Sequence, residues 1–304
     1  MTKIDIAFIG GSGLYKIPEI SNVKWLKIKT NFGQPSSEIC TGRIGKTKVA
    51  FLPRHGKNHS ISPTKINYRA NIEALKKLGT ENIISLSAVG SLRNDYIPGD
   101  FVLVDQLIDK TYLRDKTFFE DDLVVHLPMA QPICKKIKSK LADTLKKLRI
   151  KFHNQGTYIC IEGPQFSTLA ESELFRSWGC DVIGMTNMPE AKLSLEAGIC
   201  YASVGMVTDF DCWHPDHENV SVDQIVKTLN DNSEKAKKLI SSVAKDEKLI
   251  CNKKIKNLSK NSIITNIEKV KKSTKRKLKI KIIQLSGLRI AKSKLSIKQN
   301  CLLN

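Results

Sequence analysis

The chain has 304 residues, of which 41% are hydrophobic and 26% charged, and its formal net charge is +20. This composition is typical of a globular protein, and the length is sufficient for a sizeable hydrophobic core. The sequence has no run of about 18 apolar residues, which argues against a membrane span, and it opens in a strand-like segment rather than a signal peptide. We therefore expect a cytoplasmic protein with no membrane partner.

The positive charge is concentrated toward the C-terminal end. From Cys251 onward there are 16 Lys or Arg residues and one acidic residue, Glu268, so +15 of the net +20 belongs to the last 54 residues. We predict a globular domain over residues 1–250 and a Lys-rich, partly helical extension over residues 251–304. A solvated extension is favoured over a variant terminal helix or a contact with RNA or an acidic partner. Nucleic-acid binding is not expected, and it would show as a steep salt dependence.

The eight cysteines show no pattern typical of a metal site. They include no CxxC motif and no zinc-finger spacing, and several lie in apolar runs. A cysteine in such a run behaves as a small hydrophobic residue. We therefore expect reduced, buried thiols and no bound metal.

Three predicted strands in the first third of the chain end in small, hydroxyl-bearing or basic residues. The strand from Ile4 to Ile9 leads into GGSG, that from Val49 to Leu52 into PRHG, and that from Asn82 to Val89 ends in SAVGS. Glycine-rich turns expose backbone N–H groups, and a guanidinium offers a planar set of donors. The three strand ends together predict a phosphate site, with donors from Ser12, from Arg54 and His55, and from the small residues between Ser87 and Ser91.

Strands and helices alternate along the rest of the chain, which predicts an α/β fold. The stretch from Glu162 to Trp213 contains two helical and two strand-like runs separated by turn-like clusters. Its last strand, the nine-residue run from Ile199 to Val207, delivers Asp209 and Asp211 to the strand end. A pair of carboxylates at such a position is costly unless it binds something. We interpret this stretch as half of a ligand site.

The motifs of the chain resemble those of the trimeric purine nucleoside and methylthioadenosine phosphorylase family. They are, in order, GGSG, PRHGKNHSISP with NYRANI, SAVGSL, EGPQFST, GMTNMPEA and TDFDCW, and the resemblance covers roughly residues 3–245. It implies a single catalytic domain with a mixed central sheet flanked by helices. It also implies phosphorolysis of 5′-methylthioadenosine to adenine and 5-methylthioribose 1-phosphate, a step of methionine and purine salvage. No cofactor is implied, since inorganic phosphate is the co-substrate.

The resemblance assigns roles to individual residues. It implies that phosphate is held by Ser12, Arg54, His55, Ser87, Ala88 and Thr186. It implies that the nucleoside contacts Phe166, Ser167, Ile183, Met185, Val222 and Ile225, and that His126 reaches the same pocket from a neighbouring subunit of a homotrimer. Met185 is expected at the ribose, Phe166 at the base, and Val222 with Ile225 at the methylthio group. Val222 and Ile225 also have the spacing of ordinary core residues on one helix face.

The implied catalytic residues are Asp209, Asp211 and Ser12. A carboxyl group near purine N7 can deliver a proton to the departing base, and a carboxylate can accept from the 6-amino group of adenine. We assign N7 to Asp209 and the amino group to Asp211. Relatives that prefer 6-oxopurines place Asn at the N7 position, so Asp209 favours adenine.

Other functions stay open from the sequence. The nearest alternative is a purine nucleoside or methylthioinosine phosphorylase, which would release hypoxanthine rather than adenine. A hydrolytic nucleosidase is less favoured, because such an enzyme would not use the predicted phosphate site. From a different class, the chain could be a basic nucleic-acid-binding protein on a degenerate enzyme scaffold, but the intact set of Arg54, His55, Asp209 and Asp211 argues against degeneracy.

Overall fold

The structure is a computed structural model that describes residues 3–11, 14, 17–119, 122–215, 222–246, 249 and 253–279. The side chains of residues 222–226, 253 and 279 are not described. The strands are β1 Ile6–Gly10, β2 Ser21–Leu26, β3 Ile39–Ile44, β4 Thr47–Pro53, β5 Asn82–Ser91, β6 Phe101–Leu103, β7 Gln106–Asp109, β8 Phe152–His153, β9 Thr157–Cys160, β10 Val182–Gly184 and β11 Cys200–Asp209. The helices are α1 Tyr68–Lys77, α2 Lys135–Lys147, α3 Leu169–Ser177, α4 Asn187–Glu196, α5 Val222–Lys245, α6 Lys253–Lys256, α7 Leu258–Asn261 and α8 Lys272–Lys279.

The strands form a mixed sheet that branches at β5. The main path runs β2-β3-β4-β1-β5-β10-β9-β7, and β11 joins β5 to β6. Strand β1 is parallel to β4 and β5, and β11 is parallel to β5 along its length, whereas β10 is antiparallel to β5. The prediction of an α/β fold with a mixed central sheet is confirmed.

Burial explains why these segments are strands. All five residues of β1 are buried, and so are the first nine of the ten residues of β11. Continuous apolar runs of this kind are typical of strands covered on both faces. The parallel strands β1, β4, β5 and β11 end at one edge of the sheet, which is where open α/β proteins bind ligands.

Helix starts follow the capping residues of the sequence. The side chain of Asn67 accepts from the N–H of Ala70 at the start of α1. Thr168 and Glu171 form a capping box at the start of α3. These caps fix the chain on either side of the strand ends that carry candidate residues.

The described part of the basic tail packs on the main domain. Val125 pairs with Ile263 in a β-bridge, and the hydroxyl of Ser259 donates to the carbonyl of Glu196 at 2.6 Å. Val270 and Leu278 are buried in the main hydrophobic core. The expectation of a solvated extension is therefore wrong for residues 253–279, while the domain boundary at residue 250 stays a prediction.

Two of the described cysteines depart from the expectation of reduced, buried thiols. Cys40, Cys134, Cys160 and Cys180 are buried free thiols, and Cys212 is a half-buried free thiol. Cys200 is disulfide-bonded, so the expectation of reduced thiols throughout is wrong for it. Within the described ranges, no cluster of three or more His, Cys, Asp or Glu side chains is arranged to hold a metal ion. No described helix is long and apolar enough to cross a membrane.

Candidate active site

A cavity of about 290 Å³ lies at the ends of β4, β5, β10 and β11. Most of the predicted site residues line it, and they come from five separate segments of the chain. These residues are Arg54, His55, Ser87, Ala88, Phe166, Ser167, Ile183, Met185, Thr186, Asp209 and Asp211. The parallel strand ends therefore bring together the two halves of the predicted site.

The basic cluster of the cavity consists of Arg54, His55, Ser87 and Thr186. The Arg54 side chain is buried and pairs with Glu190, with Nε 2.8 Å from Oε2 and Nη2 3.2 Å from Oε1. Its Nη2 also donates to the Ser85 hydroxyl at 2.7 Å. Burial alone would lower the pKa of Arg54, but the Glu190 carboxylate keeps it above its usual value. The guanidinium is thus charged and held rigidly.

His55 is fixed in one tautomer. Its Nδ1 lies 2.8 Å from the carbonyl oxygen of Ile61, which can only accept, so Nδ1 carries the proton. Burial and the neighbouring Arg54 charge lower the pKa of His55 to about 4. The ring also stacks on His59, with 4.3 Å between ring centroids. Near neutral pH the imidazole is therefore uncharged, and its Nε2 is an acceptor.

Two hydroxyl groups of the basic cluster have no hydrogen-bond partner among the described residues. Ser87 Oγ and Thr186 Oγ1 are both buried and unpaired. The neighbouring Tyr158 hydroxyl accepts from the backbone N–H of Thr186 at 3.3 Å. A buried unpaired hydroxyl is destabilising, so each of these groups calls for an explanation such as a bound ligand.

The acidic cluster consists of Asp209, Asp211 and Ser167. Asp209 accepts from the Thr208 hydroxyl at 2.6 Å and from the backbone N–H of Asp211 at 2.8 Å. Asp211 accepts from the Ser167 hydroxyl at 2.6 Å. Burial raises the pKa of Asp209, although the bond from Thr208 opposes this rise. The protonated form of Asp209 is therefore more accessible than that of an ordinary aspartate.

Close packing holds the acidic cluster against β5. A Cβ atom added at Gly90 would lie 2.9 Å from Oδ1 of Asp209 and 3.0 Å from Cγ2 of Ile183. Glycine at this position lets the Asp209 carboxyl group approach the strand. Asp211 has a positive φ of 53°, which Asp tolerates better than most residues.

The structure does not describe every predicted site residue, and it places one described residue, His126, away from the cavity lining. Ser12 lies outside the described residues, as do the side chains of Val222 and Ile225 on α5. His126 does not line the cavity, and its backbone N–H donates to Ser262 in the tail at 3.0 Å. Phe166 is largely exposed, whereas Ile183 is buried.

Sequence reasoning missed further residues of the site. His59, Leu229 and Ser233 also line the cavity. Position 229 follows Ile225 by four residues on α5, so helical spacing could have found it. Glu190 lies 136 residues from Arg54 along the chain, and no local signal connects the two.

The comparisons with known proteins agree with this geometry. The sequence profile of the phosphorylase superfamily matches residues 5–245, and the chain belongs to that family. An S-methyl-5′-thioadenosine phosphorylase of Cereibacter sphaeroides is 52% identical over 241 residues, which are 79% of this chain and 83% of that relative. One of Koribacter versatilis is 47% identical over 289 residues, which are 94% of this chain and 98% of that relative.

Solved structures show the same likeness. A methylthioadenosine phosphorylase from an Antarctic soil metagenomic library has a TM-score of 0.86 and 41% identity, and the match covers 93% of this chain and all of that chain. The Schistosoma mansoni methylthioadenosine phosphorylase in complex with adenine has a TM-score of 0.81 and 34% identity, covering 86% of this chain and 99% of that one.

Proposed function

We infer that the protein catalyses the phosphorolysis of 5′-methylthioadenosine, giving adenine and 5-methylthioribose 1-phosphate. Relatives about half identical in sequence are named for this activity, and a similar solved structure holds adenine. The observation in this chain that best supports the inference is that the basic and acidic clusters line the same cavity. Such a cavity fits a substrate pair made of an anion and a hydrogen-bonding purine.

In this reaction an oxygen of phosphate attacks C1′ and the bond from C1′ to N9 breaks. The electron pair of that bond moves into the purine, which becomes a better leaving group when N7 is protonated. We propose that Asp209 delivers this proton, since its raised pKa favours the protonated form. Asp211, held by Ser167, accepts from the 6-amino group of adenine.

We propose that the basic cluster holds the phosphate. The buried Arg54 supplies fixed positive charge, and the unpaired hydroxyls of Ser87 and Thr186 are free to donate. The neutral His55 offers an acceptor, Nε2, to a protonated phosphate oxygen or to a sugar hydroxyl. Ala88 lines the same wall, and Ser12 completes the proposed set. Fixed donors of this kind position the nucleophile without reorganisation during the reaction.

The remaining substrate contacts are also proposals. Met185 takes the ribose, while Phe166 and Ile183 take the base. Val222 and Ile225 take the methylthio group, and Leu229 on the same helix contributes an apolar side chain to the cavity wall. Apolar side chains suit a methylthio group better than a hydroxyl.

We further propose that the protein works as a homotrimer. Tyr112, Leu113 and Leu169 are 75%, 67% and 58% exposed, and Phe166 at the cavity is 66% exposed. Large apolar side chains that one chain leaves exposed are candidates for burial in an interface. A second copy of the chain that covers them would also supply His126 to the cavity.

Light scattering should give a mass near three times 34.1 kDa. A monomer with full activity and an unaffected His126→Ala variant would rule this proposal out. A cytoplasmic location stays a prediction.

The test of the function is adenine release from 5′-methylthioadenosine, followed by chromatography with and without inorganic phosphate. We expect release only with phosphate, together with a sugar 1-phosphate. Release without phosphate would indicate a hydrolase. Cleavage of inosine or methylthioinosine, without adenine release, would favour a phosphorylase for 6-oxopurines and overturn the assignment of Asp209 and Asp211.

A further inference from the structure

Arg114 does not line the cavity, yet it bonds to the backbone of Met185, which does. Its side chain is only 1% exposed. Its Nη1 lies 2.7 Å from the carbonyl oxygens of Met185 and Met188, and its Nη2 lies 2.6 Å from that of Glu162. A single buried guanidinium therefore connects the segment after β9 with the residue after β10 and the start of α4.

The carbonyl of Met185 belongs to the same peptide group as the N–H of Thr186. Arg114 donates to this carbonyl, and the Thr186 N–H donates to the Tyr158 hydroxyl at 3.3 Å. Because a peptide group is planar, two bonds on its opposite sides fix its orientation. Tyr158 is itself closely confined, since a Cβ atom added at Gly184 would lie 2.1 Å from its hydroxyl oxygen.

This peptide group joins the two residues that connect the sugar to the phosphate. Met185 is the proposed ribose contact, and Thr186 carries an unpaired hydroxyl of the basic cluster. Rotation of the peptide plane would move both groups at once. The distance between the sugar carbon and the attacking phosphate oxygen therefore depends on how firmly this plane is held.

We propose that Arg114 is a positioning residue that aligns the ribose with the phosphate by fixing the peptide group between Met185 and Thr186. The inference rests on the proposed function and assigns Arg114 no contact with substrate.

Glu162 holds Arg114 in place. Its Oε1 accepts from Arg114 Nε at 2.8 Å and from the Thr64 hydroxyl at 2.8 Å. Its Oε2 accepts from the backbone N–H groups of Tyr112 and Leu113 at 2.6 and 3.1 Å. Glu162 thus receives four hydrogen bonds at its carboxylate, three from the run Tyr112–Arg114 and one from Thr64 in a separate segment.

The experiment measures how Arg114→Lys and Tyr158→Phe change the kinetics of the full-length protein. Lysine keeps the charge beside Glu162 but loses the fork that reaches the carbonyls of Met185, Met188 and Glu162. Tyr158→Phe removes the second bond to the same peptide group and keeps the ring. Arg93→Lys is the matched control, since Arg93 forms a forked pair with Asp95 and does not line the cavity. Thermal unfolding of each variant is measured in parallel.

Three substrates separate positioning from a general loss of structure. They are 5′-methylthioadenosine and its 2′-deoxy and 3′-deoxy analogues. We expect Arg114→Lys to lower kcat/KM for 5′-methylthioadenosine by roughly 100-fold, the effect typical of a misplacement of about 1 Å. For the analogue that lacks the ribose hydroxyl contacted by Met185, Arg114→Lys should lower kcat/KM by roughly tenfold or less. The KM of the variant for phosphate should rise. Tyr158→Phe should act in the same direction with a smaller effect.

The outcomes are distinct. Equal proportional losses on all three substrates, with an unchanged KM for phosphate, would overturn the inference and leave Arg114 a purely structural residue. Wild-type activity in both Arg114→Lys and Tyr158→Phe would also overturn it. If the wild-type protein releases no adenine from 5′-methylthioadenosine, the proposed function fails rather than the positioning role.

Discussion

The basic and acidic clusters of the cavity differ in how their charges are balanced by neighbouring groups. In the basic cluster, Arg54 is buried and its charge is balanced by the Glu190 carboxylate at 2.8 Å. In the acidic cluster, Asp209 and Asp211 lie two residues apart, and the hydrogen bonds they accept come from hydroxyl, thiol and backbone N–H groups, which are neutral. The basic cluster is thus part of the core, whereas the acidic cluster keeps a carboxyl group whose pKa is raised.

The difference indicates what each cluster contributes. A buried ion pair contributes fixed geometry, and breaking it is expensive because one charge is left unbalanced. A partly desolvated carboxyl group contributes little to folding but is ready to transfer a proton. Substitutions that break the Arg54–Glu190 ion pair should therefore damage the fold, and substitutions of Asp209 should damage the chemistry.

The largest effect on folding is expected from Glu190→Gln. The change leaves the Arg54 guanidinium buried without its carboxylate, and it also removes the charge that accepts from the Tyr201 hydroxyl at 2.9 Å. We expect the free energy of unfolding to fall by about 3–5 kcal/mol, measured by urea denaturation. Glu234→Gln, in an exposed pair with Lys237, is the control and should change it by less than about 1 kcal/mol. Comparable small effects in both variants would remove the contrast between the clusters.

Asp209→Asn should separate chemistry from folding. Asparagine keeps the shape but cannot deliver a proton to N7, so kcat should fall about 10²- to 10⁴-fold. The unfolding free energy should change little, because burial already disfavours the charged carboxylate. The wild-type rate should decline as pH rises through the raised pKa of Asp209, and this limb should be absent from the variant. Asp105→Asn, at a half-exposed pair with Lys138, should leave the rate unchanged. An active Asp209→Asn enzyme with the wild-type pH profile would contradict the assignment.

Glu162, which pairs with Arg114, should stabilise the fold as Glu190 does, and this contribution should be lost at acid pH. Burial alone would raise its pKa, but hydrogen bonds, chiefly from the Tyr112 N–H and the Arg114 guanidinium, lower it from 4.5 to about 2. A carboxyl group with a lowered pKa stabilises the fold above the unfolded-state pKa and loses that effect as pH falls through the folded-state value. We expect about 2–3 kcal/mol of stability to disappear between pH 5 and pH 2.

The measurement is unfolding free energy against pH for the wild type and Glu162→Gln. The variant should be less stable at pH 7, and its curve should be flatter over the acid range. Identical slopes would show that Glu162 is not the group responsible.

The placement of the two clusters at strand ends could be predicted from the sequence, because the signals for it are local. The buried run of β11 predicts that Asp209 and Asp211 follow a strand, and the apolar run of β4 predicts the same for Arg54 and His55. Periodicity and strand-end chemistry carry these predictions. The sharing of one cavity followed from the rule that parallel strands bind ligands at their carboxyl ends.

The supporting contacts could not be predicted in the same way. Arg54 meets Glu190 across 136 residues, and Arg114 meets Met185 across 71. Such pairs depend on the order of the strands in the sheet, which hydrophobic periodicity does not encode. The packing of residues 253–279 was missed for a related reason, since the spacing of Val270 and Leu278 shows no clear period within a strongly basic segment.

The smallest predicted effect tests the unpaired hydroxyl of the basic cluster. Ser87→Ala should raise the KM for phosphate about tenfold, since a hydrogen bond to a charged group contributes about 1.5–3 kcal/mol. It should not lower the unfolding free energy, because Ser87 Oγ is buried without a partner among the described residues. Ser241→Ala is a close control, as Ser241 Oγ is also buried and unpaired within the described part of the chain but does not line the cavity. Both variants should be as stable as the wild type, and only Ser87→Ala should bind phosphate more weakly. If Ser241→Ala raised the KM for phosphate equally, the hydroxyl of Ser87 would have no special role. If Ser87→Ala unfolded readily at normal phosphate affinity, Ser87 would belong to the structural framework along with Glu190.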